Sequence, residues 1–570
     1  MRFREESLMR LASGAGFDVL ILGGGVNGVA VFRELALNGV SALLVERSDF
    51  CRGASGASSR MAHGGLRYLE NREFKLVAES ARERNLLLRH AAHFTQPLEV
   101  VVPLTSYLQG LPGSILRFLG VGVKGSTLSA AGLKAALALY EHLGRVGRVL
   151  PSHRTNLRRI DFPRYLARRY KAVISYFDAR IRNPEALVLE MLEEAMAVCP
   201  VCAALNHVSW NHQSGSDTFS ISDGETGQTF AMRPKLVVNA SGAWVDEVNA
   251  LLGRNTSYVR PVKGAHLVLR HDALFERMAG RAFYFDDGTG RMVISYPLDR
   301  TILLGTTEIP TPDPSDDTIA GDEITYLTSA ISSLFEDIEV RREHIVAMTT
   351  GMRPLQRGGA GDANRANRDH RIAEDRLAGD VPLLSLIGGK WTTFRAFGEQ
   401  VADRILAHLQ RTRSVGTRER DYPGATGFGA GKANAGALVK QLEACFALTS
   451  TRAEALVHRY GAVAEQVAAF CAETIDAPLE HLAEFTRNEI RWLVEERAAL
   501  GLDDLILRRT QIALDGDCSE PLLRELAVLL AQVRGKPASW ADCEIERCLA
   551  MPSLLCSAGR PASLKERRRG

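Results

Sequence analysis

Residues 17–46 read FDVLILGGGVNGVAVFRELALNGVSALLVE, and the reading of this stretch decides the fold. Four apolar residues, Val19 to Leu22, run straight into Gly23, Gly25 and Gly28 at GxGxxG spacing. The pattern predicts a short buried strand, then a helix over Val26 to Asn38 ended by Gly39. A second apolar strand, Ala42 to Val45, stops at Glu46. Strand, glycine turn, helix, strand and terminal acid together predict a dinucleotide-binding βαβ unit. In such a unit the first glycine permits the tight turn, the second lets backbone amides approach a pyrophosphate, and the third lets helix and strand pack closely. The helix start offers unpaired N–H groups and the positive end of its dipole to the phosphates. Gly24 and Asn27 complete the loop, and Glu46, 23 residues after Gly23, is placed to accept hydrogen bonds from an adenosine ribose. Arg47 would suit a 2′-phosphate but Glu46 would repel it, so FAD or NAD is expected over NADP.

Two later stretches repeat an apolar strand running into small residues: LVVNASGAWVD at 236–246 and PLLSLIGGKWTTFR at 382–395. Read as strand-loop-helix joints they need no ligand. Read with the first loop they bring Ser241, Gly242, Gly388 and Gly389 to one large cofactor threaded through the fold. A further stretch, SSRMAHGGLRYLE at 58–70, sets His63, Arg67 and Tyr68 around a glycine pair, an arrangement unsuited to a core element.

The totals bound the class. A chain of 570 residues predicts two to four domains. With 46% hydrophobic and 24% charged residues it has the composition of a globular protein, and a net charge of +3 gives no case for nucleic acid as a partner. Nine cysteines point to a reducing compartment, and Cys199 with Cys202 is a lone CxxC, so no metal site is expected. The opening MRFREESLMRLASGAG lacks the apolar segment of a secretory signal, and no run of about 18 apolar residues predicts a membrane span. A cytoplasmic protein is expected.

Taken together, GGGVNG (23–28), SSRMAHGGLRYLE, VKGAHLVL (262–269), LLGTTE (303–308), GMRPL (351–355), NRDH (367–370) and GGKWTTFR (388–395) resemble the FAD-dependent, membrane-associated glycerol-3-phosphate dehydrogenase family. A looser likeness continues through RYG at 459–461 and EIRWLVEERAALGLDDLILRRT at 489–510. The resemblance implies FAD as cofactor, sn-glycerol 3-phosphate as substrate, and a membrane quinone as electron acceptor. It also implies a peripheral place on the inner face of the cytoplasmic membrane, and it allows a homodimer. Ser58, Ser59, His63, Gly64 and Gly65 would then line the flavin, with Thr392 and Thr393 bonding flavin or backbone. Arg67, Tyr68, Arg368 and Lys390 would hold the phosphate, with the bidentate fork of arginine suited to a dianion. Arg353 would lie near the reacting hydroxyl. His266 is the expected base, since an ordinary pKa of about 6.5 suits proton uptake near neutrality; Lys263 and His63 are the reserves. An oxidase passing electrons to oxygen, or a relative acting on another phosphorylated hydroxy compound, is the alternative.

Two stretches depart from the family pattern. YFDARIRNPEAL at 176–187 lacks an expected acidic turn, although Asn183 before Pro184 still predicts a helix start. The segment 108–150 is apolar with basic flanks, which suits either a surface-lying membrane element or a buried helix pair. The expected fold is α/β. An N-terminal extension (1–16) precedes a Rossmann-like FAD-binding domain interleaved with an α+β substrate domain of antiparallel sheet over 17–422, its cap mainly at 97–178 and 258–345. A glycine-rich linker (423–436) leads to an all-α C-terminal domain (437–570).

Overall fold

The computed structural model describes residues 2–554 except 15, 70–72, 108–129, 146, 214, 288, 290, 358–368 and 429–432. Val19–Leu22 lies inside a six-stranded sheet ordered Arg371–Arg376, Pro382–Ile387, Leu236–Asn239, Val19–Leu22, Ala42–Val45, Ala203–Leu205. Every neighbouring pair is parallel except the first. Strands of a parallel sheet are covered on both faces, which is why VLIL and ALLV are unbroken apolar runs, LVVN is apolar up to its closing Asn239, and all three are wholly buried. Helix Val26–Leu37 follows the first strand and packs against Phe394–His408 and Pro184–Val198. The last of these starts as the sequence predicts: the Ala186 N–H donates to the Asn183 side chain at 3.1 Å, with Pro184 in the first turn.

Between these strands the chain leaves to build a ten-stranded mixed sheet. Its long members are Thr95–Leu104, Ala172–Ile181, Val259–Leu269 and Ile345–Gln356. The last two pair antiparallel along their whole length, setting Gly264 opposite Gly351 and His266 opposite Thr349. Met61–Ala62, just ahead of the HGG motif, joins the edge of the same sheet. The fold is thus a Rossmann-like α/β domain interleaved with an α+β domain, followed by an all-α region. A three-stranded antiparallel sheet over residues 208–232 adds to the first domain and was not foreseen. Of the segment 108–150, residues 108–129 lie outside the described residues; helix Ala130–Leu143 buries Leu133, Leu137 and Tyr140 against helix Phe74–His90.

The C-terminal helices, from Ala433–Phe446 to Ala538–Ala550, enclose a hydrophobic core of their own. They meet the first domain through a buried ion network. A wide helical turn, Leu505–Arg509, presents Arg509 to both oxygens of Asp49 at 2.7 Å and Arg508 to one of them at 2.6 Å. Burial opposes charge on Asp49, but the two guanidiniums win and hold its pKa well below the ordinary carboxylate range. Beyond the last helix, Ser553 accepts from the Met348 N–H at 3.0 Å, on the strand that carries Arg353.

Candidate active site

The three glycine-ended strands of the parallel sheet and the edge of the cap sheet enclose a cavity of about 2050 Å³. In its first loop Gly23 has φ +117°, and a Cβ on Gly28 would stand 2.1 Å from the Gly23 carbonyl oxygen. A Cβ on Gly25 would meet only Ser55 Oγ, at 3.3 Å, so that glycine turns its open side to the cavity. The Val26 N–H at the helix start donates to Ser55 Oγ at 3.1 Å. Glu46 lines the cavity and also braces the loop, accepting from the Gly24 N–H at 2.8 Å and the Ser48 N–H at 2.9 Å. Burial raises its pKa above the ordinary value while the two amides oppose that rise.

The remote returns converge on this loop. Asn27 donates to the Gly388 carbonyl at 3.3 Å and lies against Gly389, while its Oδ1 is buried without a hydrogen-bond partner. Ser241 Oγ donates to Asn239 Oδ1 at 2.5 Å, and Ser241 and Gly242 line the wall. Thr392 ties the third return to the HGG motif: its hydroxyl accepts from the His63 N–H and donates to the His63 carbonyl, both at 3.1 Å. Ser58, Ser59, His63 and Gly65 line the cavity, whereas Gly24, Gly28, Gly64 and Thr393 stand behind its wall. Thr393 stands at the N-terminal boundary of helix Phe394–His408, and its hydroxyl, buried, makes no hydrogen bond to the helix.

The cap sheet brings His266 and Arg353 to the same cavity, and Lys390 joins them from the third return. Arg353 can lie across the neighbouring strand because Gly264 has no side chain there; a Cβ would be 2.1 Å from its Nη1. Its Nη2 donates to Thr306 Oγ1 at 2.7 Å and its Nη1 to the Thr307 carbonyl at 3.3 Å. The His266 ring fits against Gly305 in the same manner, and its Nε2 is 2.8 Å from Ser59 Oγ. Burial, then the charges of Arg353 and Arg60, pull the His266 pKa down to about 3. His266 thus lacks the ordinary pKa expected of it: burial and the neighbouring arginines favour the neutral ring, which is already hydrogen-bonded to Ser59. Lys263 pairs with Asp316 at 3.1 Å and Glu323 at 3.4 Å, which makes it a strut of the cap. Arg368 and the side chains of Arg67 and Tyr68 lie outside the described residues, although the turn Leu66–Leu69 is formed.

Sequence reading missed Ser55, Arg60, Tyr140 and Asp178. Asp178 was legible in one respect, as the lone acid in a mainly apolar strand run, AVISYFDARI.

A group with a pyrophosphate and a broad flat ring fits these walls: amides face the cavity at a helix start, side-chain-free backbone borders it on three loops, and the Asn27 carbonyl oxygen awaits a donor. Comparison with known proteins agrees. Residues 18–404 match the family model of FAD-dependent oxidoreductases, and residues 415–540 match that described as the C-terminal domain of alpha-glycerophosphate oxidase. The chain is 30% identical to glycerol-3-phosphate dehydrogenase 1 of Mycobacterium tuberculosis over 90% of its own length and 94% of that protein. It is 29% identical to D-erythritol 1-phosphate dehydrogenase of Brucella abortus, over 87% and 94%. The glycerol-3-phosphate dehydrogenase of Bacillus halodurans, solved with FAD, superposes with a TM-score of 0.70 over 96% of both chains at 20% identity. The chain belongs to the family of FAD-dependent oxidoreductases, within its glycerol-3-phosphate dehydrogenase and oxidase group, and FAD is its cofactor.

Proposed function

We propose that this protein oxidises sn-glycerol 3-phosphate to dihydroxyacetone phosphate and passes the electrons to a membrane quinone from a peripheral position on the inner face of the cytoplasmic membrane. The observation that carries the reading is that Arg353, Lys390 and His266 all line the cofactor cavity, with Arg353 close enough to His266 to lower its pKa. Gly23, Gly25, Asn27 and Glu46 would hold the ADP half of FAD; Ser58, Ser59, His63, Gly65, Ser241, Gly242, Gly388, Gly389 and Thr392 would border the flavin half. Bound FAD supplies the hydride acceptor. Lys390, with Arg67, Tyr68 and Arg368 assigned by family likeness, takes the phosphate dianion. Arg353, held by Thr306 and Thr307, faces the C2 oxygen and stabilises negative charge as its proton leaves. Burial and then Arg353 and Arg60 lower the His266 pKa, and an incoming dianion opposes the arginine share, which favours transfer of the C2 hydroxyl proton to Nε2 once it leaves Ser59.

The near-equal identity to an erythritol-phosphate enzyme supports a second reading, in which a longer phosphorylated polyol is the substrate. An anaerobic titration of the purified flavoprotein separates them. Bleaching of the oxidised-flavin band by sn-glycerol 3-phosphate at lower concentration than by D-erythritol 1-phosphate supports the first; the reverse order supports the second. Absence of bleaching by both overturns the proposal. Readmitting air and measuring peroxide then distinguishes an oxidase from a quinone-linked enzyme.

A further inference from the structure

The HGG motif is held from two sides. On the cofactor side the hydroxyl of Thr392 brackets the peptide of His63. On the other side one backbone amide, Gly64 N–H, meets two side chains from two different elements, and a third side chain ties those two together. The amide donates to Tyr140 Oη at 2.9 Å and to Asp178 Oδ1 at 3.1 Å. Tyr140 donates to the same Asp178 oxygen at 2.6 Å. Arg84 Nη1 closes the set, 2.8 Å from Asp178 Oδ1 and 2.6 Å from Tyr140 Oη. All three side chains are nearly inaccessible, with exposures of 4% for Arg84, 3% for Tyr140 and 2% for Asp178. Gly64 is constrained to be glycine by this contact, since a Cβ would stand 2.2 Å from Tyr140 Oη.

We propose that Tyr140, Asp178 and Arg84 form a positioning triad that fixes the Gly64 amide and so sets the placement of the turn carrying Arg67 and Tyr68. The chemistry favours this over a bond formed only for stability. A buried carboxylate beside a guanidinium and a phenol is costly unless every donor finds an acceptor; Arg84 turns its remaining N–H groups to Asn85, and the shared oxygen of Asp178 with the Tyr140 hydroxyl is left for the Gly64 amide, two residues before the turn Leu66–Leu69. Burial, with Asp178 adjacent, pushes the Tyr140 pKa well above the ordinary tyrosine value despite Arg84, so the phenol remains a donor at every working pH. The clamp also spans both domains, because Thr392 belongs to the cofactor domain while Asp178 sits on cap strand Ala172–Ile181. Asp178 also borders the cofactor cavity, whereas Tyr140 and Arg84 stand behind its wall and act through the loop. Its consequence for turnover rests on the proposed substrate class, but its effect on the loop does not.

The test uses the holoenzyme and Tyr140→Phe, with Asp178→Asn as the stronger lesion. Peptide-level hydrogen exchange over residues 61–69 reads the loop directly and needs no substrate. Removing the Tyr140 hydroxyl deletes its bonds to the Gly64 N–H, Asp178 and Arg84, leaves Asp178 on the Gly64 amide, and is expected to speed exchange of the Gly64 region by about tenfold in Tyr140→Phe. With whichever phosphorylated polyol the wild type oxidises, KM is expected to rise about tenfold while kcat stays within about twofold. Flavin content and the visible spectrum are expected to match wild type. Unchanged exchange in both variants overturns the triad. Faster exchange with unchanged KM, or a fall in kcat alone, overturns the positioning role. If the wild type oxidises no phosphorylated polyol the proposed function fails, and the exchange comparison still decides whether the triad fixes the loop.

Discussion

Arg353 reaches the cavity because a glycine, Gly264, stands where any other residue would block its guanidinium. Its two hydroxyl and carbonyl contacts fix a planar fork that an ammonium group cannot copy. Arg353→Lys is therefore expected to retain FAD and its spectrum but lose about 10²–10³ in kcat, the usual range for removing a group that stabilises a developing oxyanion; rapid-mixing flavin reduction checks this. His266 yields a pH prediction. Its pKa falls from the ordinary 6.5 to about 3 through burial and then the nearby arginines. Below pH 6.5 the unfolded chain binds a proton that the folded chain refuses. The folded state accordingly loses up to about 1.4 kcal/mol per pH unit as the pH drops from 6.5 towards 3. His266→Gln is expected to remove that share, so the difference in Tm between variant and wild type should shift in the variant's favour between pH 7 and pH 5. A constant difference across this range would refute the neutral-histidine assignment.

At the scale of single elements, the first βαβ unit contains two glycines with opposite tolerances. Gly25→Val places its side chain into the cavity and is expected to give folded protein without flavin, read as absorbance near the oxidised-flavin band against total protein. Gly28→Val drives a side chain into the Gly23 backbone and is expected to lower Tm as well as flavin content, because overpacking at a rigid contact displaces the helix itself. The same unit explains how much of the fold was legible. Its strands, turn and helix lie within thirty consecutive residues, so periodicity and glycine spacing carry the whole reading. The GGK and HGG loops were legible as motifs, and the structure joins them through Thr392 and His63. Asp178 was not legible as a loop anchor, since its partners Arg84 and Gly64 are 94 and 114 residues away. The sheet over 208–232 escaped notice because its strands have four or five residues each and mix polar with apolar side chains. The ordinary pKa assumed for His266 failed for a related reason: burial and the charge of Arg353 are properties of the assembled site, invisible in VKGAHLVL.

For the molecule as a whole, the union of cofactor domain and helical domain depends on Asp49 more than on any other carboxylate described above. Asp49→Ala leaves Arg509 buried with no acid opposite it, and loss of one partner from a buried pair costs roughly 3–5 kcal/mol. The expected result in calorimetry is a lower first transition and a separate second one from the helical domain, whose core is self-contained. A single transition at the wild-type temperature would show that the interface holds without the ion network.

The path of the chain bears on how such a molecule can be inherited. The cofactor sheet takes its strands from residues 19–45, 203–205, 236–239 and 371–387, and the cap is threaded through the gaps between them. No single cut releases either domain, so the two have to be copied, duplicated or lost together. The helical region over residues 433–550 is one continuous stretch of chain. A single recombination event can add it, remove it or replace it, provided that the newcomer brings its own pair of arginines to Asp49.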